Sequence, residues 1–189
     1  MASPIDWLPT LLAKGPQALQ RQHLRYQSQP AARPRLHLIV LDTSGSMRQG
    51  GRLALAKGYA ARLIEQAARA GDDVGLLSFG GRGLEWLVPP GPARSAGAAR
   101  VRQCGGGGGT PLAQALALAQ QRIAQPSRRA ASPPLLWLLT DGRTLEQPAA
   151  PTTASVVVDF EDPRRPLGRC AAWAARWGAE YRLASALKL

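Results

Sequence analysis

Apolar runs of strand length alternate along this chain with segments of helical period, and that alternation limits the possible folds more than any other feature. Residues 36–41, LHLIVL, form an apolar run that ends in the polar turn Asp42-Thr43-Ser44-Gly45-Ser46, the pattern of a buried strand feeding a loop. Residues 52–70 follow with Leu53, Ala56, Ala60, Leu63 and Ala67 on one helical face, and Gly71 closes the helix. Residues 73–79 read as a second strand, which Gly80-Gly81 turns into an antiparallel partner at 84–88 before the stop at Pro89-Pro90. An Ala/Arg-rich stretch, 92–102, leads to Cys104 and the glycine run 105–109. Thr110 is the expected N-cap and Pro111 the expected first residue of a helix carrying Leu112, Ala115, Leu116, Ala119 and Ile123. Residues 135–139 form a further strand ending in Thr140-Asp141-Gly142, and 155–158 another. Leu167, Cys170, Ala171, Ala174 and Trp177 mark a last helix, after which 180–184 closes the sheet. The expected fold is α/β: a Rossmann-like, doubly wound, mostly parallel sheet with one antiparallel edge strand and helices on both faces.

The 189 residues, 45% of them hydrophobic, suit one compact domain at 35–189 preceded by a basic arm at 1–34. The arm holds an apolar patch, Trp7, Leu8, Leu11 and Leu12, then the basic stretch QALQRQHLRYQ. No apolar run approaches the roughly 20 residues of a membrane span, and Asp6 and Pro9 spoil the start as a signal peptide, so the chain is expected in the cytoplasm. Two cysteines are too few for a disulfide framework and lack zinc-site spacing. The net charge of +12 attracts nucleic acid, acidic proteins or anionic membranes without choosing among them. A basic RNA-binding module is therefore the alternative to the reading below.

In open α/β sheets, ligands bind beyond the carboxyl ends of the strands. The loops at 42–46, 105–110 and 140–142 are expected on that edge, where they bring Asp42, Ser44, Ser46, Thr110 and Asp141 together. These residues carry two carboxylates and three hydroxyls, an all-oxygen set that suits Mg2+, or Mn2+ in its place, and disfavours softer metals. A dication held this way keeps enough Lewis acidity to accept a carboxylate from a partner, which makes the site a docking point. Arg48, Arg52 and Arg143 lie near its rim, and Gly109 lets a partner approach the loop backbone. Catalytic readings fare worse. The glycine run lacks the Lys of a phosphate loop, the serines have no neighbouring general base, and Asp42 lacks the second aspartate of a D-x-D loop. The expectation is a domain without enzymatic activity.

The segment LIVLDTSGSM, the threonine after the glycine run and the later TDG together resemble the von Willebrand factor A (VWA) domain and its metal-ion-dependent adhesion site (MIDAS). The resemblance spans roughly 36–185 and implies that Asp42, Ser44, Ser46, Thr110 and Asp141 hold the metal. DTSGSM, RLALAKGYAA, LVPPGPARS and CGGGGGTPLAQAL are more similar still to the C-terminal VWA domain of magnesium chelatase D subunits and their cobalt chelatase relatives. That likeness implies partnership with an AAA+ ring ATPase and a large metal-inserting subunit. The ATPase-like domain and linker of those subunits have no counterpart in residues 1–34, so the expected form is a stand-alone one.

Overall fold

The central strand β1, Arg35–Asp42, is built from residues that alternate between two apolar layers. Ile39 and Leu41 face one layer and Leu38 and Val40 the other, all fully buried. A strand buried on both faces belongs inside a sheet, and β1 lies between β2, Asp73–Gly80, and β4, Ser132–Thr140, parallel to each. The six-stranded order is β3-β2-β1-β4-β5-β6. Here β3, Gly83–Pro92, is the antiparallel edge, while β5, Ser155–Asp159, and β6, Glu180–Leu183, continue the parallel set. These details come from a computed structural model that describes residues 5–26, 33–81, 83–104, 111–125, 129 and 131–184.

Helices cover both faces. Ala56, Ala60 and Ile64 of α3, Arg52–Ala70, pack with Ala98 and Val101 of α4, Ser95–Gln103, on the Ile39 side. Leu112 and Leu116 of α5, Leu112–Ile123, pack with Cys170 and Trp173 of α6, Arg169–Trp177, on the Leu38 side. The chain divides into two compact units, Met1–Arg33 and Pro34–Leu189. In the first, α1, Trp7–Lys14, is tied to the following segment by Thr10, whose buried hydroxyl accepts the Arg25 N–H at 2.8 Å. No helix among the described residues is long and apolar enough to cross a membrane.

The structure corrects several sequence expectations. Strand β3 runs through Pro89 and Pro90 to Pro92; it is an edge strand, and the register with β2 breaks between Val74 and Leu76, so Pro89 and Pro90 have no paired residue whose bond they would forfeit. Strand β4 likewise takes Pro133 and Pro134 into its opening residues. A short helix α2, Gly45–Arg48, occupies what reads in sequence as a turn, and the Ala/Arg-rich stretch folds as α4. Pro111 takes the cap position of α5 at φ −77°, ψ 61°, and the helix proper begins at Leu112. Leu167 precedes α6 and is exposed, so the buried face of that helix is Cys170, Trp173 and Ala174.

At the end of β2 the backbone of Gly80 passes against Thr43. A Cβ there would stand 2.6 Å from Thr43 Oγ1 and 2.9 Å from its carbonyl carbon. Thr43 cannot retreat, because its N–H and hydroxyl both donate to the Phe79 carbonyl, at 2.8 and 3.0 Å. Gly80→Ala is expected to destabilise the fold by about 1–3 kcal/mol, read as a lower urea midpoint with an unchanged slope.

Candidate functional site

Strands β1 and β4 are in register up to Leu41 beside Leu139, so Asp42 and Thr140 leave the sheet side by side at its carboxyl edge. The Thr140 hydroxyl donates to Asp42 Oδ2 at 2.6 Å, and Asp42 Oδ1 accepts the Ser44 N–H at 2.8 Å. The carboxylate is thereby held from β4 and from its own loop. Beyond Thr140 the chain turns at Gly142, whose φ of +67° favours glycine and whose Cβ position lies 3.0 Å from Cys170 Sγ. Just before that turn, Asp141 meets the 42–46 loop through Ser46.

A chain of oxygens results. Ser44 Oγ lies 3.2 Å from Ser46 Oγ, and the Ser46 hydroxyl donates to Asp141 Oδ1 at 3.0 Å. Asp42, Ser44 and Asp141 are buried and Ser46 is half-buried. Burial pushes the Asp42 carboxyl above its usual range and the Asp141 charge adds to that, against the hydrogen bonds from Thr140 and Ser44. Two carboxylates gathered in a buried place favour a neighbouring positive charge. The Arg52 guanidinium supplies one, donating to Asp141 Oδ2 at 2.9 Å, with Arg143 Nε 4.0 Å from the same oxygen.

The donor set fits a hard dication. Adjacent ligands of an octahedral Mg2+ at about 2.0–2.1 Å stand about 2.9 Å from one another, close to the spacings along Ser44, Ser46 and Asp141. Among the described residues no group of three or more His, Cys, Asp or Glu side chains is placed to hold a metal, so a cation here needs the hydroxyls as well as the two carboxylates.

Four of the five sequence-expected oxygens, those of Asp42, Ser44, Ser46 and Asp141, thus meet at one edge. Thr110 and Gly109 lie outside the described residues. The start of α5 is nevertheless fixed near the Asp141 segment, because the Ala113 N–H donates to Glu146 Oε2 at 2.6 Å. Arg48 is exposed at the end of α2, and Arg143 is half-buried beside Asp141. His37 is bound in a structural group, 3.1 Å from Asp72 Oδ2 and accepting the Trp137 indole N–H at 3.2 Å. The roles of Thr140 and Glu146 escape the sequence reading. Thr140 was within its reach, since it stands at a strand end directly before Asp141.

A polar loop after the first central strand, an Asp-Gly turn after its parallel neighbour and this strand order together define a known architecture. The sequence profile of the von Willebrand factor type A domain matches residues 37–143. The chain belongs to the VWA family.

This VWA domain is similar to a magnesium-chelatase 60 kDa subunit of Cereibacter sphaeroides, with 37% identity over 155 residues covering 74% of this chain and 27% of that protein. An uncharacterized protein of Mycobacterium tuberculosis is 31% identical over 191 residues, covering 90% of this chain and 30% of the other. The chain therefore spans less than a third of the length of these relatives. Among solved structures, BatB from Bacteroides thetaiotaomicron has a TM-score of 0.60 at 19% identity, covering 79% of this chain and 89% of that one. The SpRpn10 VWA domain has a TM-score of 0.55 at 12% identity, with 79% and 87% covered. These two likenesses concern the fold.

The bond from Thr140 to Asp42 joins a neutral donor to a buried carboxylate, and its removal leaves an oxygen that water does not reach. Thr140→Val keeps the side-chain shape and is expected to lower stability by about 1.5–3 kcal/mol, measured by urea denaturation in chelator.

Proposed function

We propose that this domain is a non-catalytic, metal-dependent docking module. Asp42, Ser44, Ser46, Thr110 and Asp141 would hold Mg2+, or Mn2+ in its place, and a carboxylate from a protein partner would complete the coordination. The observation that carries the reading is the run of oxygens from Ser44 through Ser46 to Asp141, spaced like adjacent ligands of one octahedral ion. The cation supplies Lewis acidity towards the incoming acid group. The chain's own residues set the ion's place: Thr140 fixes the rotamer of Asp42, and the turn at Gly142 aims Asp141.

Similarity to magnesium-chelatase subunits supports a role as a component of a chelatase-type assembly, with an AAA+ ring ATPase and the large chelatase subunit as partners in the cytoplasm. Gly109, Arg48 and Arg143 would face the docked protein. In this reading residues 35–189 are the docking module and 1–34 a basic arm.

Asp42→Ala and Thr110→Ala are each expected to abolish Mg2+ uptake in titration calorimetry and Mg2+-dependent co-purification with the ring ATPase, with the circular dichroism spectrum unchanged. Chelator should have the same effect on the wild type. Equal capture by wild type and Asp42→Ala would overturn the proposal. Binding to RNA that survives chelator and falls steeply with salt would favour the nucleic-acid alternative instead.

A further inference from the structure

Both oxygens of the Asp141 carboxylate are engaged. Oδ1 accepts the Ser46 hydroxyl at 3.0 Å and the Arg143 N–H at 3.1 Å, while Oδ2 accepts Arg52 Nη1 at 2.9 Å. The Asp141 side chain is fully buried and that of Arg52 is 13% exposed, so water screens this ion pair weakly. Arg143 Nε, buried 4.0 Å from Oδ2, has no hydrogen-bond partner among the described residues. Arg52 is thus a cation already held on an expected metal ligand.

The Arg52 side chain also lines a cavity of about 360 Å³ that opens beside the site. Leu55 and Phe160 form part of its wall, which also carries the acidic residues Asp159, Glu161 and Asp162 and the basic Arg164. Each of these carboxylates is fixed by a backbone donor: Asp159 by the Glu161 N–H, Glu161 by Gly168 and Asp162 by Arg164. A guanidinium leaving Asp141 thus stays at a cavity that its own residue lines, where three acidic residues outnumber one other arginine.

We propose that Arg52 is an exchangeable counter-cation of Asp141, bound to the carboxylate in the metal-free protein and expelled into the acidic cavity when a divalent ion binds. This rests on the metal-site reading above. A dication on Asp141 and a guanidinium on the same carboxylate repel each other in a poorly screened place, so the two exclude one another. The arginine weakens metal affinity and stabilises the empty site.

The test is calorimetric titration of the full chain with Mg2+, paired with thermal melts in chelator and in Mg2+. Arg52→Ala is expected to bind Mg2+ about tenfold more tightly than wild type, the order set by loss of one competing charge-assisted hydrogen bond. It should melt lower than wild type in chelator and gain more from Mg2+. Arg52→Gln, which keeps a donor without the charge, is the second variant should the first not fold, and it is expected to shift in the same direction. Equal or weaker Mg2+ binding by the variants, with wild type binding, would overturn the exchange and leave the metal site standing. Absence of Mg2+ binding in wild type and variants alike would overturn both, whereas binding by the variants alone would support the exchange.

Discussion

The parallel pairing of β1 with β4 is the constraint on which the rest of this structure depends. Its register sets two strand ends beside each other, so one short hydroxyl-to-carboxylate bond can join Thr140 to Asp42 across the sheet edge. Every other group at that edge is placed relative to this bond. The Ser44 N–H closes onto the other oxygen of Asp42, and Asp141 follows Thr140 directly in the chain. A slip of one residue between the strands would turn every inward side chain to the opposite layer, and the two apolar cores forbid it.

Electrostatics supplies the second theme. Burying Asp42 close to Asp141 raises the free energy of its charged form, and hydroxyl and backbone N–H donors offset that cost, while a guanidinium pairs with Asp141. These donors hold the oxygens of Ser44, Ser46 and Asp141 at ligand-like spacing.

Much of this was legible in the sequence because period and punctuation agreed. The run at 36–41, the helical spacing from Leu53 to Ala67 and the Gly71 stop all speak of local structure, and β1 and α3 follow them closely. Proline misled the reading of β3 and β4, because its penalty depends on whether a neighbour needs the missing N–H, and that is a fact of sheet position. Helix α2 was hidden since its four residues bury only Met47 and leave no period to detect. The pairing of Arg52 with Asp141 joins residues far apart in the chain, so nothing local announces it. The oxygens of Asp42, Ser44, Ser46 and Asp141 were accessible because a strand-end rule predicts where such loops gather.

The prolines that extend β3 have an effect of their own. That strand forms the outer margin of the sheet, and Pro89, Pro90 and Pro92 remove N–H groups along it. A foreign strand approaching from that side finds fewer donors over residues 89–92, so that end of the margin is a poorer template for sheet-to-sheet association. The prolines thereby blunt one end of an open edge against extension by another copy of the chain.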